Sequence, residues 1–111
     1  MEQMVQGILV VNTETIPGMV ITETLGVVSG STVRAKNVMR DITQMGRNIV
    51  GGELKGYTEL LSDSRQEAVA RMVAQAESMG ANAVVNVRFA TSSVAAGASE
   101  LFAYGTAVRV E

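Results

Sequence analysis

The chain has 111 residues, a formal net charge of −2, 47% apolar and 18% charged residues, and no His, Cys or Trp. This length is one domain, and the missing side chains exclude a Ser-His-Asp triad, a Cys nucleophile, a disulfide and an ordinary zinc site. Ordinary domains carry roughly 25% charged residues and small ones leave much surface exposed, so the apolar excess, with mean hydropathy +0.22, predicts a contact surface.

Met4 to Asn12 is apolar and β-branched and runs into Ile16-Pro17-Gly18, a turn signal. One short strand is expected before that turn. From Met19 to Val28 the pattern alternates, with Met19, Ile21, Leu25 and Val27 on one face and Val20, Thr22 and Thr24 on the other. Glu23 interrupts the apolar set, and Gly26 and Gly30 predict a bulge or a close backbone approach. From Thr32 the period becomes helical, since Ala35, Val38, Met39, Ile42, Met45 and Ile49 make one stripe, which Gly51-Gly52 stops.

After Gly56, a second helical face runs through Tyr57, Leu60, Leu61, Ser64, Ala68, Met72, Ala76 and Met79. Glu67, mostly off that face, forms an i,i+4 pair with Arg71, and Gly80 stands where a left-handed C-cap needs a residue without Cβ. Ala83 to Thr91 alternates again, placing Ala83, Val85, Val87 and Phe89 on one side and Val84, Asn86 and Arg88 on the other. The small, polar segment Thr91–Ser99 reads as a hairpin loop. A last strand follows from Leu101 to Val110, with Phe102, Tyr104, Thr106, Val108 and Val110 on one face. The order β-β-α-α-β-β predicts a single α+β domain over residues 1–111. In it, a small mixed or antiparallel sheet carries two helices on one layer.

Several runs together resemble the YbjQ-like family of small bacterial proteins. They are Gly26-Val27-Val28-Ser29-Gly30, Arg40-Asp41-Ile42, Gly46 to Gly52, Tyr57 with Leu60-Leu61, Gly80-Ala81-Asn82-Ala83-Val84-Val85, and Ala103 to Val108. They occur in order across residues 12–110. The resemblance implies a dodecin-like α+β subunit, a ring-shaped homopentamer and a heavy-metal-binding label, with no reaction, cofactor or catalytic residues attached. Soft metals want thiolate or imidazole, and this chain has neither.

Among chemical candidates, Gly46 to Glu53 has glycine spacing like a phosphate loop, but Gly52 and Glu53 stand where Lys and Ser or Thr are needed. A glycine-shaped link is the better reading. Lys36, Arg40 and Arg47 line one helical stripe beside Asp41 and Glu53. Repeated around a ring, their field would sum, which makes Arg40, Asp41, Arg47 and Glu53 the candidate site for a small anion or a hard cation. Glu23 must be exposed, paired with an Arg such as Arg40 or Arg88, or placed at an interface. It is the weak oxygen-ligand candidate; Glu23, Asp41, Glu53 and Glu100 share no ligand spacing. The helical methionines Met39, Met45, Met72 and Met79 read as core, and Tyr57 and Tyr104 as structural.

The charge balance argues against nucleic acid, and the short apolar runs against a membrane span or signal peptide. The reading is a cytoplasmic, non-enzymatic homo-oligomer that binds or scaffolds, with a small ligand or metal ion as the other partner class. Carboxylate-based catalysis is the remaining alternative.

Overall fold

The computed structural model describes residues 3–35, 52–95 and 98–111, with side chains over 3–33, 61–93 and 99–111. The strands are β1 (Gln3–Val5), β2 (Ile8–Val10), β3 (Ile21–Ala35), β4 (Ala83–Ala95) and β5 (Ala98–Val110), and the helix α1 spans Gly52–Ser78. They form one sheet in the order β1-β2-β4-β5-β3, antiparallel except where β2 runs parallel to β4.

This corrects the expected two helices packed on a sheet. The described residues form one helix and a five-stranded mixed sheet, and sheet predominates. Thr32 to Ala35, which begin the expected first helix, continue β3 and pair with Leu101 to Ala98. Pairing with a distant strand decides a short stretch whose apolar spacing suits either state. Residues 36–49 of that stripe lie outside the described residues.

Other boundaries move for similar reasons. Met4 to Asn12 is a hairpin of two strands turning at Gln6-Gly7, both with positive φ, rather than one strand. Thr91 to Ser99 is mostly ladder, because β4 and β5 stay paired out to Ala95 and Ala98. Main-chain bonds hold that extension, whose residues from Thr91 to Ser99 are mostly small. Gly52 begins α1, ahead of the expected start after Gly56.

The Tyr57 and Leu60 side chains of α1 lie outside the described residues. On the rest of its expected face, Met79, just past the C-terminal end, is exposed, Leu61 is half-buried, and Ser64, Ala68, Met72 and Ala76 are buried. Small residues there let the helix lie close to the sheet. Gly30 marks the nearest approach, since a Cβ on it would collide with the Ala68 carbonyl, the Met72 amide nitrogen and the Arg71 Cβ. The Thr32 hydroxyl donates to the Ser64 carbonyl at 3.4 Å in the same contact. α1 then ends in a Schellman motif: Gly80 N donates to Glu77 O at 3.0 Å and Ala81 N to Ala76 O at 3.1 Å. Gly80 has φ +86° there, as its C-cap position requires.

The core has two parts. On the helix face, Ile8, Val10, Val28, Met72, Val73, Val84, Val87, Ala103 and Ala107 pack together. On the opposite face, Val11 and Ile16 fold back over Ala83, Val85, Val108 and Val110. A bulge at Asn86, with φ +56°, separates Val85 from Arg88 in the β4–β5 register. It moves Val87 to the helix face beside Val84, against the simple alternation expected of β4.

Candidate functional site

Beyond the segment that carries Val11 and Ile16, the β3–β5–β4 ladder extends as an arm whose face away from α1 includes exposed side chains. Register places Val27, Ser29, Ser31 and Val33 of β3 on that face, opposite Thr106, Tyr104, Phe102 and Glu100 of β5. Val27 is 75% exposed and Val33 53%. Phe102 and Tyr104 lie against each other with ring centroids 5.6 Å apart. Tyr104 therefore has the structural contact expected of it, while the Tyr57 side chain lies outside the described residues.

β3 is an edge strand, and α1 blocks part of that edge. Ser29 N donates to Gln75 Oε1 at 2.8 Å, and Arg71 Nη1 donates to the Ser31 carbonyl. Arg71 also holds Glu67, as their spacing predicted. Antiparallel pairing alternates inward and outward main-chain groups, so Val27, two residues before Ser29, also turns its N–H and carbonyl outward. Its stretch of edge lies beyond the two bonds from α1.

Two concavities flank the helix. A cleft of about 210 Å³ is lined by Leu61, Ser64, Arg65, Thr91, Ser99, Glu100 and Leu101. Thr91 pairs with Leu101 and Ser93 with Ser99, all in step with Phe89–Ala103, so Thr91, Ser99 and Leu101 face α1. Glu100 is one residue out of step, and its carboxylate instead accepts from Ser92 on the far face at 3.4 Å. A broader groove of about 630 Å³ lies between β1 and α1, includes Met4, Val5, Val69, Ala70 and Phe89, and shares Arg65 with the first cleft. Met4 is 63% and Phe89 48% exposed.

The expected site residues do not form a described constellation. Arg40, Asp41 and Arg47 lie outside the described residues; Glu53 stands in the first turn of α1, with its side chain outside them. Glu23 is exposed and opposite Arg109 in the register. Register shifts between Ile21 and Glu23 and between Thr24 and Gly26 remove it from the apolar alternation. Arg88 is engaged elsewhere, donating to the Asn12 carbonyl at 2.7 Å. Sequence spacing missed Arg65, Thr91 and Ser99 because they meet only when the hairpin extends beneath the helix.

The conspicuous sequence motifs have structural explanations. Asn82 Nδ2 donates to Val110 O at 2.9 Å, while Val110 N donates to Asn82 Oδ1 at 2.8 Å. Gly80-Ala81-Asn82-Ala83 thus caps the helix, buries two alanines and locks the start of β4 to the end of β5. Ala103, Gly105 and Ala107 are buried in β5; a Cβ at Gly105 would meet Val84 Cγ1 and the Val85 carbonyl of β4 at 2.9 Å each.

Residues 8–111 match the family described as "Putative heavy-metal-binding", YbjQ. The chain belongs to the YbjQ-like family. A UPF0145 protein of Hahella chejuensis is 66% identical over 103 residues, covering 93% of this chain and 99% of the relative. Another from Halorubrum lacusprofundi is 61% identical, covering 89% and 95% of the two chains. A third, from Archaeoglobus fulgidus, is 57% identical over 93% of this chain and 95% of its own. The YbjQ-like relatives therefore extend into the archaea, beyond the bacterial range expected. A crystal structure of a protein of unknown function from Pediococcus pentosaceus shares the fold. Its TM-score is 0.62 at 14% identity, covering 96% of this chain and 100% of that one.

The donor set does not fit the soft-metal part of the family description. The YbjQ-like chain has no His or Cys, and no three potential His, Cys, Asp or Glu ligands cluster among the described residues. Met72 is fully buried, while Met4, Met19 and Met79 are exposed on separate elements. Such scattered thioethers do not assemble the ligands a soft ion needs. Among the described residues, no helix is long and apolar enough to cross a membrane.

Proposed function

We propose that this YbjQ-like protein is a non-enzymatic homo-oligomer that binds or scaffolds, and that its sheet margins make the subunit contacts. The observation that carries the reading is Val27, 75% exposed on the open part of the β3 edge. An exposed edge strand is a template for pairing with another chain, and a second copy supplies the needed apolar surface. The opposite margin of the sheet is β1, beside the groove that contains Met4 and Phe89.

The two margins are unlike, so their contact is head-to-tail. Such contacts close into a ring when the rotation per subunit divides a full turn. Five copies is the stoichiometry carried by the family resemblance. The cysteine-free composition suits a reducing compartment, and we place the protein in the cytoplasm on that ground.

Native mass spectrometry and sedimentation velocity of tag-free protein at micromolar concentration test the reading. A discrete closed oligomer is the expected result, with Val27→Ser and Phe89→Ser each shifting it toward smaller species. A wild-type monomer under those conditions overturns it.

A further inference from the structure

We propose that the cleft between α1 and the β4–β5 arm binds a short-chain aliphatic carboxylate, with its carboxylate group at Arg65. The cleft lies within one subunit, so this inference does not rest on the assembly reading. Leu61 and Leu101 supply apolar wall on the helix and sheet sides, and Thr91 and Ser99 bring hydroxyl side chains to it. Register directs Thr91, Ser99 and Leu101 to the helix side and Glu100 to the other face. Among the described residues lining the cleft, the remaining charged side chain on the helix side is Arg65.

Arg65 makes no ion pair among the described residues; the ion pair formed there joins Arg71 to Glu67. Its guanidinium offers a planar fork suited to a carboxylate, and hydroxyls can donate to the same oxygens. Apolar walls distinguish this ligand from a bare inorganic anion, which gains nothing from Leu61 and Leu101. The cleft, about 210 Å³ and partly open, has room for a small aliphatic carboxylate such as butyrate.

The test uses the intact, isotopically labelled protein, titrated with butyrate, butylammonium or inorganic phosphate up to about 100 mM at constant ionic strength, a range that captures millimolar affinity. Butyrate should shift the Leu61, Ser64, Thr91 and Ser99 amide resonances saturably, and Arg65→Gln should weaken that binding by about tenfold, as expected for loss of a charge-assisted contact. Arg65 is exposed, and an unchanged spectrum away from the cleft will show that the variant remains folded. Thr91→Val provides a second, smaller loss on the opposite wall.

Butylammonium should not produce the saturable shifts, and phosphate should bind more weakly than butyrate. No saturable butyrate response, equal response to butylammonium, phosphate binding as tight as butyrate, or undiminished binding by Arg65→Gln overturns the proposal. The assembly reading is scored separately by subunit mass, so one can fail while the other stands.

Discussion

The two ends of the sheet face solvent differently. Near the chain termini, both faces are covered: α1 lies on one and the segment carrying Val11 and Ile16 on the other. Along the arm, α1 still covers one face, but Val27 and Val33 stand exposed on the other. The covered end is apolar on both faces, whereas the arm mixes its exposed valines with Ser29, Ser31, Ser92 and Glu100. That contrast separates residues that hold the subunit together from residues available to a second copy.

Substitutions can break or sharpen this contrast. Ile16→Ala, at the covered end, removes a side chain only 3% exposed; unfolding in urea should show a loss of about 2–5 kcal/mol. Gly30→Ala drives a methyl group into the helix backbone at Ala68 and Met72. It should cost about 1–3 kcal/mol through overpacking, checked by the same unfolding experiment. Gly80→Ala forces an alanine into the left-handed cap and should cost about 1 kcal/mol, seen as a lower Tm.

Val27→Ser belongs to the bare arm and should behave oppositely. Under conditions where subunits are dissociated, folding stability should change by no more than about 0.5 kcal/mol. The concentration dependence of Tm should nevertheless fall, because an assembly contact stabilises by mass action. A large loss in the dissociated state would show that Val27 supports the subunit itself.

Much of the helix layer was legible before the fold was known. The Ser64-Ala68-Met72-Ala76 face, the Gly80 cap and the close approach at Gly30 all follow from residue size and spacing. The extended β3 was not legible. Thr32 to Ala35 have a local pattern compatible with a helix, and only their distant β5 partners choose the strand. The small, polar residues from Thr91 to Ser99 likewise concealed a ladder held by main-chain bonds. The cleft was hidden for the same reason: Arg65 and Thr91 are brought together by a hairpin whose length the side-chain pattern does not disclose. The expected cluster of Arg40, Asp41, Arg47 and Glu53 rested on sequence proximity, and the described side chains offer a different group.

Asn86 makes chain length itself part of the fold. The bulge there absorbs one residue, so Val84 and Val87 lie on the same side of the sheet. Deleting Asn86 would leave Val85 and Arg88 two residues apart, like their partners Thr106 and Tyr104, so the bulge would close with Val87 and Thr91 still on the helix side. Deleting Ala90 from the regular ladder would instead send Thr91 to the far face. A same-size deletion among Asn12 to Thr15 would disturb the contacts this segment makes with β4, where the Asn12 carbonyl accepts from Arg88 and the Thr13 carbonyl from the Asn86 N–H. Deletions thus have a position-dependent cost: the bulge at Asn86 can give up one residue without inverting the strand, and the regular ladder beyond it cannot.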